Sequence, residues 1–222
     1  MRNILITGFE SYGECLDNPS AQIAEFLDGK EIGGARVAAR ILPVSATNVP
    51  GLVERHIADL DPVMIMGMGL WPGEPMIRIE RIGINIAEFG IPDNEGVIRA
   101  GDVASNGPEA VKASWPARMI VERLLDAGIP ARISDHAGTF LCNSTLYHML
   151  RAVQERSSVS GVGFFHVPYL PAQVCEVIRT TQSDRKIEIF QRADLASMPL
   201  DLQIRAATIA IETTLSDTAS MD

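Results

Sequence analysis

The chain has 222 residues, 46% of them hydrophobic and 21% charged, a composition that suits a globular protein with a sizeable core. Its formal net charge of −9 argues against a nucleic-acid partner and against binding to an anionic membrane, since both need a basic surface. No apolar run approaches the length of a membrane span, and the apolar part of the N-terminus is too short for a signal peptide.

The cysteines also bear on the compartment and on metals. The chain has three of them, Cys15, Cys142 and Cys175, which are far apart and form no CxxC pair. This pattern argues against a disulfide framework and against a cysteine-rich zinc site. We therefore expect a protein of the reducing cytoplasm, and we predict no metal and no cofactor.

Strand and helix patterns alternate along the chain, beginning with an apolar strand at residues 3–9. Asn18 then caps a helix that should end before Gly29. Further strands are predicted at residues 35–44, 62–67, 76–87, 131–134 and 161–167. Further helices are predicted at residues 49–60, 115–128, 143–156, 172–180 and 199–215.

This alternation predicts an α/β protein with a largely parallel sheet covered by helices on both faces. No repeat or linker interrupts it, so we expect one domain over residues 1–222. Residues 88–108 are polar and should lie over the surface. Residues 186–190 alternate like a strand, but the pattern does not place them.

Cys142 is the candidate nucleophile, because it alone of the cysteines stands at the start of a predicted helix. Free backbone N–H groups and the positive end of the helix dipole favour a thiolate there, and the same N–H groups can hold an oxyanion. Most cytosolic cysteines are instead inert packing residues, and Cys175, inside another predicted helix, fits that description.

His166 is the candidate base, because it ends a buried strand just before Pro168. That edge of an α/β sheet is where ligands bind, and a histidine titrates near neutrality. A core histidine bonded to backbone is the alternative interpretation. His136 is the one serious rival, since His148 follows Cys142 at the wrong helical spacing.

Glu80 lies where the alternation of the predicted strand 76–87 breaks. Isoleucines at 77 and 79 share one phase, and those at 82, 84 and 86 share the other. Such a shift is typical of a β-bulge, which can aim a side chain into an active site. A strand carboxylate paired with Arg78 or Arg81 is the equal alternative. A Gly67-Met-Gly69 loop is dismissed as a dinucleotide motif, because no helix follows it.

Taken together, these segments resemble the pyroglutamyl peptidase I family of cysteine peptidases, also called pyrrolidone-carboxylate peptidases. Residues 5–13 and 18–20 are similar to the family's opening segments TGFEPFG and NPS, and residues 79–85 and 91–96 to its ERxAxN and IPDNxG segments. Residues 134–143 resemble its nucleophile motif and residues 163–171 its histidine motif. The match runs from residue 4 to about residue 173 in one order.

The resemblance implies an α/β/α sandwich around a twisted, largely parallel mixed sheet. It implies Cys142 as nucleophile, His166 as acid and base, and Glu80 as the carboxylate that orients the histidine. It also places five residues around the lactam ring of the substrate: Phe9, Tyr12, Ile91, Phe140 and Leu141. Family members are metal-free, cytosolic and often tetrameric, so a homo-oligomer is expected.

Several positions depart from the family pattern. Gly90 stands where an arginine commonly precedes IPDN, and Arg78 or Arg81 could supply that charge instead. Residues 67–75 differ from a segment that often reads GQAGGR, Tyr12 replaces a phenylalanine, and residues 174–198 look longer than in the family.

We therefore predict a cysteine exopeptidase that removes an N-terminal pyroglutamyl residue from small peptides. Two alternatives remain, a related cysteine amidase for another cyclic or blocked acyl group and a binding protein that kept the fold.

Overall fold

The computed structural model describes residues 2–13, 17–154, 156 and 158–218 of the chain. Its strands are β1 (Asn3–Phe9), β2 (Glu31–Ile32), β3 (Ala35–Leu42), β4 (Met64–Leu70), β5 (Ile77–Glu80), β6 (Ile82–Ile84), β7 (Ala87–Glu88), β8 (Ala100–Gly101), β9 (Ala110–Lys112), β10 (Ala131–Ser134) and β11 (Gly161–Val167). Its helices are α1 (Pro19–Leu27), α2 (Val49–Leu60), α3 (Ala117–Asp126), α4 (Leu141–Ala152), α5 (Pro171–Asp184) and α6 (Leu200–Thr218).

A seven-stranded sheet with the order β10-β5-β11-β4-β1-β3-β2 forms the centre of the fold. The pairs β1–β3, β1–β4, β4–β11 and β5–β10 are parallel, whereas β5–β11 and β2–β3 are antiparallel. The sheet is therefore mixed and mostly parallel, as the sequence predicted. Because β11 runs antiparallel to β5, Glu80 at the end of β5 lies beside Phe164, and Arg78 lies beside His166.

Helices cover both faces of this sheet. On one face, α1, α3 and α6 pack against the strands and against one another. On the other face, α2 packs against β1 and β3, and α4 packs against β4 and β11. Strands β1, β4 and β11 are buried almost throughout, as expected of strands covered on both sides. The three layers confirm the predicted sandwich.

The predicted strand 76–87 is wrong as a single element. Strand β5 ends at Glu80, and β6 pairs with β9 in a separate two-stranded sheet. The shift in alternation at Glu80 therefore marks a change of sheet and not a bulge. The isoleucines continue along the chain on both sides of Glu80, but strand partners far along the chain, such as Ala110 for Ile84 and Ala131 for Ile77, decide where each strand belongs.

Smaller corrections concern the other boundaries. Helix α4 begins at Leu141, two residues earlier than predicted, so Cys142 lies within its first turn. Residues 186–190 form no strand, and Ile189–Gln191 is a single 3-10 turn after α5. The segment 88–108 is not wholly superficial, because Phe89 and Val103 are buried.

No helix in the described part of the chain is long and apolar enough to cross a membrane.

Candidate active site

A glycine on β4 makes room for the sulfur of Cys142. Gly69 pairs with His166 in the parallel β4–β11 register, so the two positions face the same side of the sheet. A Cβ atom added at Gly69 would lie 2.7 Å from the Cys142 Sγ. The thiol therefore lies over β4, next to the strand that carries His166 and on the same face.

The first turn of α4 is fastened to the segment that follows β5. The Asn143 side chain accepts a hydrogen bond from the Ile84 N–H at 2.9 Å and donates to the carbonyls of Ile84 and Ile86 at 2.9 and 3.0 Å. Phe140, the N-cap residue, provides no side-chain cap, so it leaves the N–H groups of the first turn uncovered. Cys142 thus lies among backbone donors on a firmly anchored helix end.

His166 and Glu80 form a buried hydrogen-bonded pair. The imidazole Nδ1 lies 2.8 Å from Glu80 Oε1, and both side chains are almost fully buried. An ionised carboxylate only accepts hydrogen bonds, so the proton must lie on Nδ1. Nε2 then keeps its lone pair, and it has no hydrogen-bond partner among the described residues. The ring is held as a base with its acceptor nitrogen free.

The charges of the pair follow from its surroundings. Burial alone would raise the pKa of Glu80, but the hydrogen bond and charge of His166, together with Ser134 and Arg78, hold that pKa below its ordinary value. Burial lowers the pKa of His166, and the Glu80 carboxylate only partly opposes this. At neutral pH the pair is therefore a carboxylate beside a neutral imidazole.

The expected thiolate at Cys142 is not what the structure favours. Burial raises the pKa of the thiol to about 12, and the negative charge of Glu80 acts in the same direction. The backbone N–H of the helix start and the positive charge of Arg78 lower it, but by less. The resting thiol is therefore protonated.

A small apolar pocket opens onto Cys142. Among the described residues, its walls carry no charged side chain and few polar groups. They are formed by Phe9, Tyr12, Asn18, Val44, Leu70, Phe140, Leu141 and Cys142. The Phe140 ring contacts Phe89, with centroids 4.4 Å apart, and lies 6.3 Å from the Tyr12 ring. The pocket suits a small uncharged group held next to the thiol.

In the described residues, no group of histidine, cysteine and carboxylate side chains is arranged to hold a metal ion. The site brings together a thiol, an imidazole bonded to a carboxylate, and the backbone donors at the start of α4.

Comparison with known proteins agrees with this site. The sequence model of the pyroglutamyl peptidases matches residues 2–217. The chain belongs to the pyroglutamyl peptidase family. A pyrrolidone-carboxylate peptidase of Thermococcus litoralis is 36% identical over 216 residues, which cover 97% of this chain and 94% of that protein. One from Enterobacter sp. is 41% identical over 175 residues, covering 78% and 81% of the two chains.

Solved structures of the family have the same fold. The Thermococcus litoralis enzyme superimposes with a TM-score of 0.90 at 34% identity, over all of this chain and 97% of its own. A mutant pyrrolidone carboxyl peptidase of Pyrococcus furiosus gives a TM-score of 0.89 at 34% identity, over 97% of this chain and 99% of its own. The likeness therefore extends along almost the whole length of the chain.

The structure brings together most residues that the family resemblance singled out. Glu80 and His166 are bonded, Cys142 lies on the same face of the sheet, and Phe9, Tyr12, Phe140 and Leu141 line the adjoining pocket. Ile91 does not line this pocket and is 49% exposed.

The rival histidine is placed differently. The His136 ring accepts a hydrogen bond from the Gly138 N–H at 3.0 Å, so it belongs to its own loop. Cys175 is exposed on α5, and Cys15 lies outside the described residues.

Sequence reasoning missed three pocket residues and the surroundings of Glu80. Asn18 was seen only as a helix cap, which it is, since its side chain accepts from the Ser20 N–H at 3.1 Å. Val44 ends the predicted strand 35–44, where ligand contacts are common, and this was the available signal; Leu70 ends β4, three residues beyond the predicted strand 62–67. The pairing of Glu80 with Arg78, one of the alternatives drawn from the sequence, is present in the structure. The contacts of this pair with Trp71, Ser134 and His166 depend on strand pairing and gave no signal.

Proposed function

We propose that this family member hydrolyses the bond after an N-terminal pyroglutamyl residue, with Cys142 as nucleophile, His166 as acid and base, and Glu80 as the orienting carboxylate. The observation that carries the proposal is the bond between His166 Nδ1 and Glu80 Oε1, beside a thiol at the mouth of an uncharged pocket. Its relatives are named for the same activity.

The first half-reaction forms a thioester. The Cys142 sulfur attacks the carbonyl carbon while His166 Nε2 takes the thiol proton, because the pKa values of both groups favour neutral starting forms. The carbonyl oxygen gains negative charge, which the N–H groups of the first α4 turn can stabilise. The C–N bond then breaks, and the imidazolium gives its proton to the departing amine.

The second half-reaction returns the enzyme. His166 accepts a proton from water, whose oxygen attacks the thioester carbon. The sulfur leaves and regains a proton from His166, and free pyroglutamate departs. Glu80 stays ionised throughout, since its role is to hold the ring and to stabilise the transient imidazolium.

The pocket chemistry supports a lactam as the bound group. A pyroglutamyl residue has no free ammonium group, so its pocket needs no carboxylate, and the described residues that line this pocket include none. Aromatic and aliphatic surfaces suit the ring, and a few hydrogen bonds suffice for its amide. An ordinary aminopeptidase would need a negative group for the substrate ammonium.

The deciding experiment is release of a fluorescent coumarin amine from its pyroglutamyl amide. We expect release by the wild-type protein, loss of release after iodoacetamide, and full activity in EDTA, because the site as described contains no metal cluster. Alanyl and prolyl coumarin amides are the matched substrates. Release from another blocked amide alone would favour the related amidase, and release from none would favour a binding protein.

The oligomer and the cytoplasmic compartment remain predictions, supported by the family resemblance and by the cysteine count. Light scattering of the purified protein checks the first, and fractionation of the producing cell checks the second.

A further inference from the structure

Arg78 is a buried cation that reaches the predicted orienting carboxylate. Its side chain is 7% exposed, and its Nε lies 3.0 Å from Glu80 Oε1, the oxygen that also accepts from His166. Its Nη2 donates to Ser134 Oγ at 2.7 Å and to the His136 carbonyl. The guanidinium therefore ties Glu80 to the end of β10.

A chain of alternating charges continues from Arg78 to the surface. Its Nη1 lies 3.5 Å from Oε2 of Glu74, whose side chain is 6% exposed. The same carboxylate binds Arg132 at 2.7 and 3.1 Å, and the Arg132 side chain is 45% exposed. Arg78 is thus paired with two buried carboxylates, which compensates its burial and limits its movement.

Trp71 touches both Arg78 and His166. The guanidinium carbon of Arg78 lies 3.7 Å from the centroid of the indole ring. The same indole meets the His166 ring edge-on, with centroids 4.9 Å apart and planes at 81°. The Trp71 backbone N–H donates to the Val167 carbonyl at 2.9 Å, which fixes the tryptophan to the end of β11. A planar guanidinium suits stacking and forked bonding together, whereas a lysine does not.

We propose that Arg78 and Trp71 are positioning residues of this active site, which hold the Glu80 carboxylate and the His166 ring in the orientation that leaves Nε2 free to take a proton. This inference rests on the proposed function. Neither residue lines the pocket beside Cys142, so the pair acts through Glu80 and His166 and not on the substrate.

The charged groups around His166 predict in which direction its pKa should change when Arg78 is replaced. The charged and titratable groups that face it are Glu80 and Arg78 from β5, Glu74 from the loop before β5, and Cys142 from α4. Burial is the main cause of its lowered pKa, and the Arg78 charge lowers it further, while Glu80 and Glu74 raise it. Loss of the Arg78 charge should therefore move the acid limb of the kcat/KM profile to higher pH.

The test compares Arg78→Met, Arg78→Lys and the control Arg81→Met on the pyroglutamyl coumarin substrate. Arg81 directly follows β5 but pairs with Asp135 near the surface. Arg78→Met should lower kcat by about 100-fold, since misplacing a reacting group by about 1 Å costs that much. Its KM should change little, and its acid limb should move to higher pH.

The conservative variant separates charge from geometry. Arg78→Lys should keep the acid limb near its wild-type position but still lose kcat, because one ammonium cannot make the forked bonds. Arg81→Met should change neither quantity. A folded Arg78→Met protein with wild-type kcat and an unmoved acid limb would overturn the inference.

Trp71 provides the second arm, in case Arg78→Met does not fold. Trp71→Leu removes the ring face and should lower kcat by roughly tenfold, whereas Trp71→Phe should restore most of it. Wild-type kcat and an unmoved pH profile in Trp71→Leu would also overturn the inference.

A readout without turnover separates this inference from the proposed function. Nuclear magnetic resonance of labelled histidine gives the His166 pKa directly in the wild-type and Arg78→Met proteins. A higher pKa in the variant supports the positioning pair even if no pyroglutamyl substrate is cleaved. An unchanged or lower pKa counts against it even if the wild-type protein is an active peptidase.

Discussion

Gly69 and the sulfur of Cys142 compete for one space, since a Cβ atom at position 69 would lie 2.7 Å from Sγ. Because Gly69 is also the register partner of His166, its missing side chain lets the thiol approach the strand that carries the base. The glycine in the Gly67-Met-Gly69 segment thus has a packing role, and no nucleotide loop is involved.

Gly69→Ala should therefore displace the thiol while leaving the fold intact. The nearest atom is the Cys142 sulfur, which can rotate away, while the Phe164 ring at 3.3 Å has to shift slightly. We expect kcat/KM to fall by about 100-fold, as for other misplaced reacting groups. Steady-state kinetics and thermal unfolding measure the two effects.

Gly51→Ala is the matched control for this change. A Cβ atom at Gly51 meets nothing within 4 Å, and the residue lies in α2, far along the chain from the site. It should leave kcat/KM unchanged and add about 0.5–1 kcal/mol to the free energy of unfolding. An active Gly69→Ala protein would show that the sulfur is not confined as described.

Much of the fold could be predicted because local patterns determine it. The strand Gly161–Val167 and the helix Val49–Leu60 agree with the sequence-based ranges. The strand is a continuous buried run followed by a proline, and the helix has one apolar face. The strand 76–87 failed because hydrogen-bond partners distant in the chain decide where its parts belong.

The site was predicted less completely, for the same reason. Motif residues such as Cys142 and His166 were found from their positions at element ends. Arg78 was considered as an ion-pair partner of Glu80 and as a substitute charge, but its bond to Ser134 could not be predicted, because that bond joins positions 56 residues apart. The protonation of the thiol also escaped prediction, since a helix N-terminus can be seen in a sequence but the burial of one sulfur cannot.

Glu80→Gln should impair catalysis less than His166→Ala. A glutamine can still hold the ring through its carbonyl oxygen, but it does not stabilise the imidazolium, whereas loss of His166 removes the base itself. We also expect Glu80→Gln to lower the free energy of unfolding by about 1–3 kcal/mol, because Arg78 loses a buried partner. If the variant kept the wild-type rate and pH profile, Glu80 would be only an ion-pair residue.

The pH dependence of kcat/KM should show an acid limb below the ordinary histidine range. The base must be neutral to accept the thiol proton, and burial lowers the pKa of His166. Activity should therefore persist as the pH falls through about 6.5, the ordinary value, and disappear only at lower pH. An acid limb of kcat/KM with its midpoint at or above that ordinary histidine value, measured at constant ionic strength, would contradict a neutral buried base.

Gly90→Arg tests whether the arginine common in the family is needed here. Position 90 is exposed and has open space for a side chain, and its neighbour Phe89 packs on Phe140 of the pocket. A guanidinium near developing negative charge is worth about 2–4 kcal/mol in such sites, or roughly 30- to 1,000-fold in rate. We expect a gain in kcat/KM toward this range on pyroglutamyl substrate.

Two results would contradict the expected gain in kcat/KM for Gly90→Arg. No gain, with wild-type turnover already equal to that of the Thermococcus litoralis relative, would show that the arginine is dispensable. A gain only on other blocked amides would point to a different acyl group in the pocket.

The most direct test of the central claim is capture of the acyl-enzyme by rapid quenching in acid, followed by intact-mass and peptide mass spectrometry. The account predicts that wild-type protein mixed with a pyroglutamyl ester gains one pyroglutamyl group, located on Cys142. Cys175→Ser should gain the same group, because Cys175 is exposed on α5, away from the pocket residues. Cys142→Ala should gain none and release no product. An acyl group on any other residue, or full turnover by Cys142→Ala, would contradict the account.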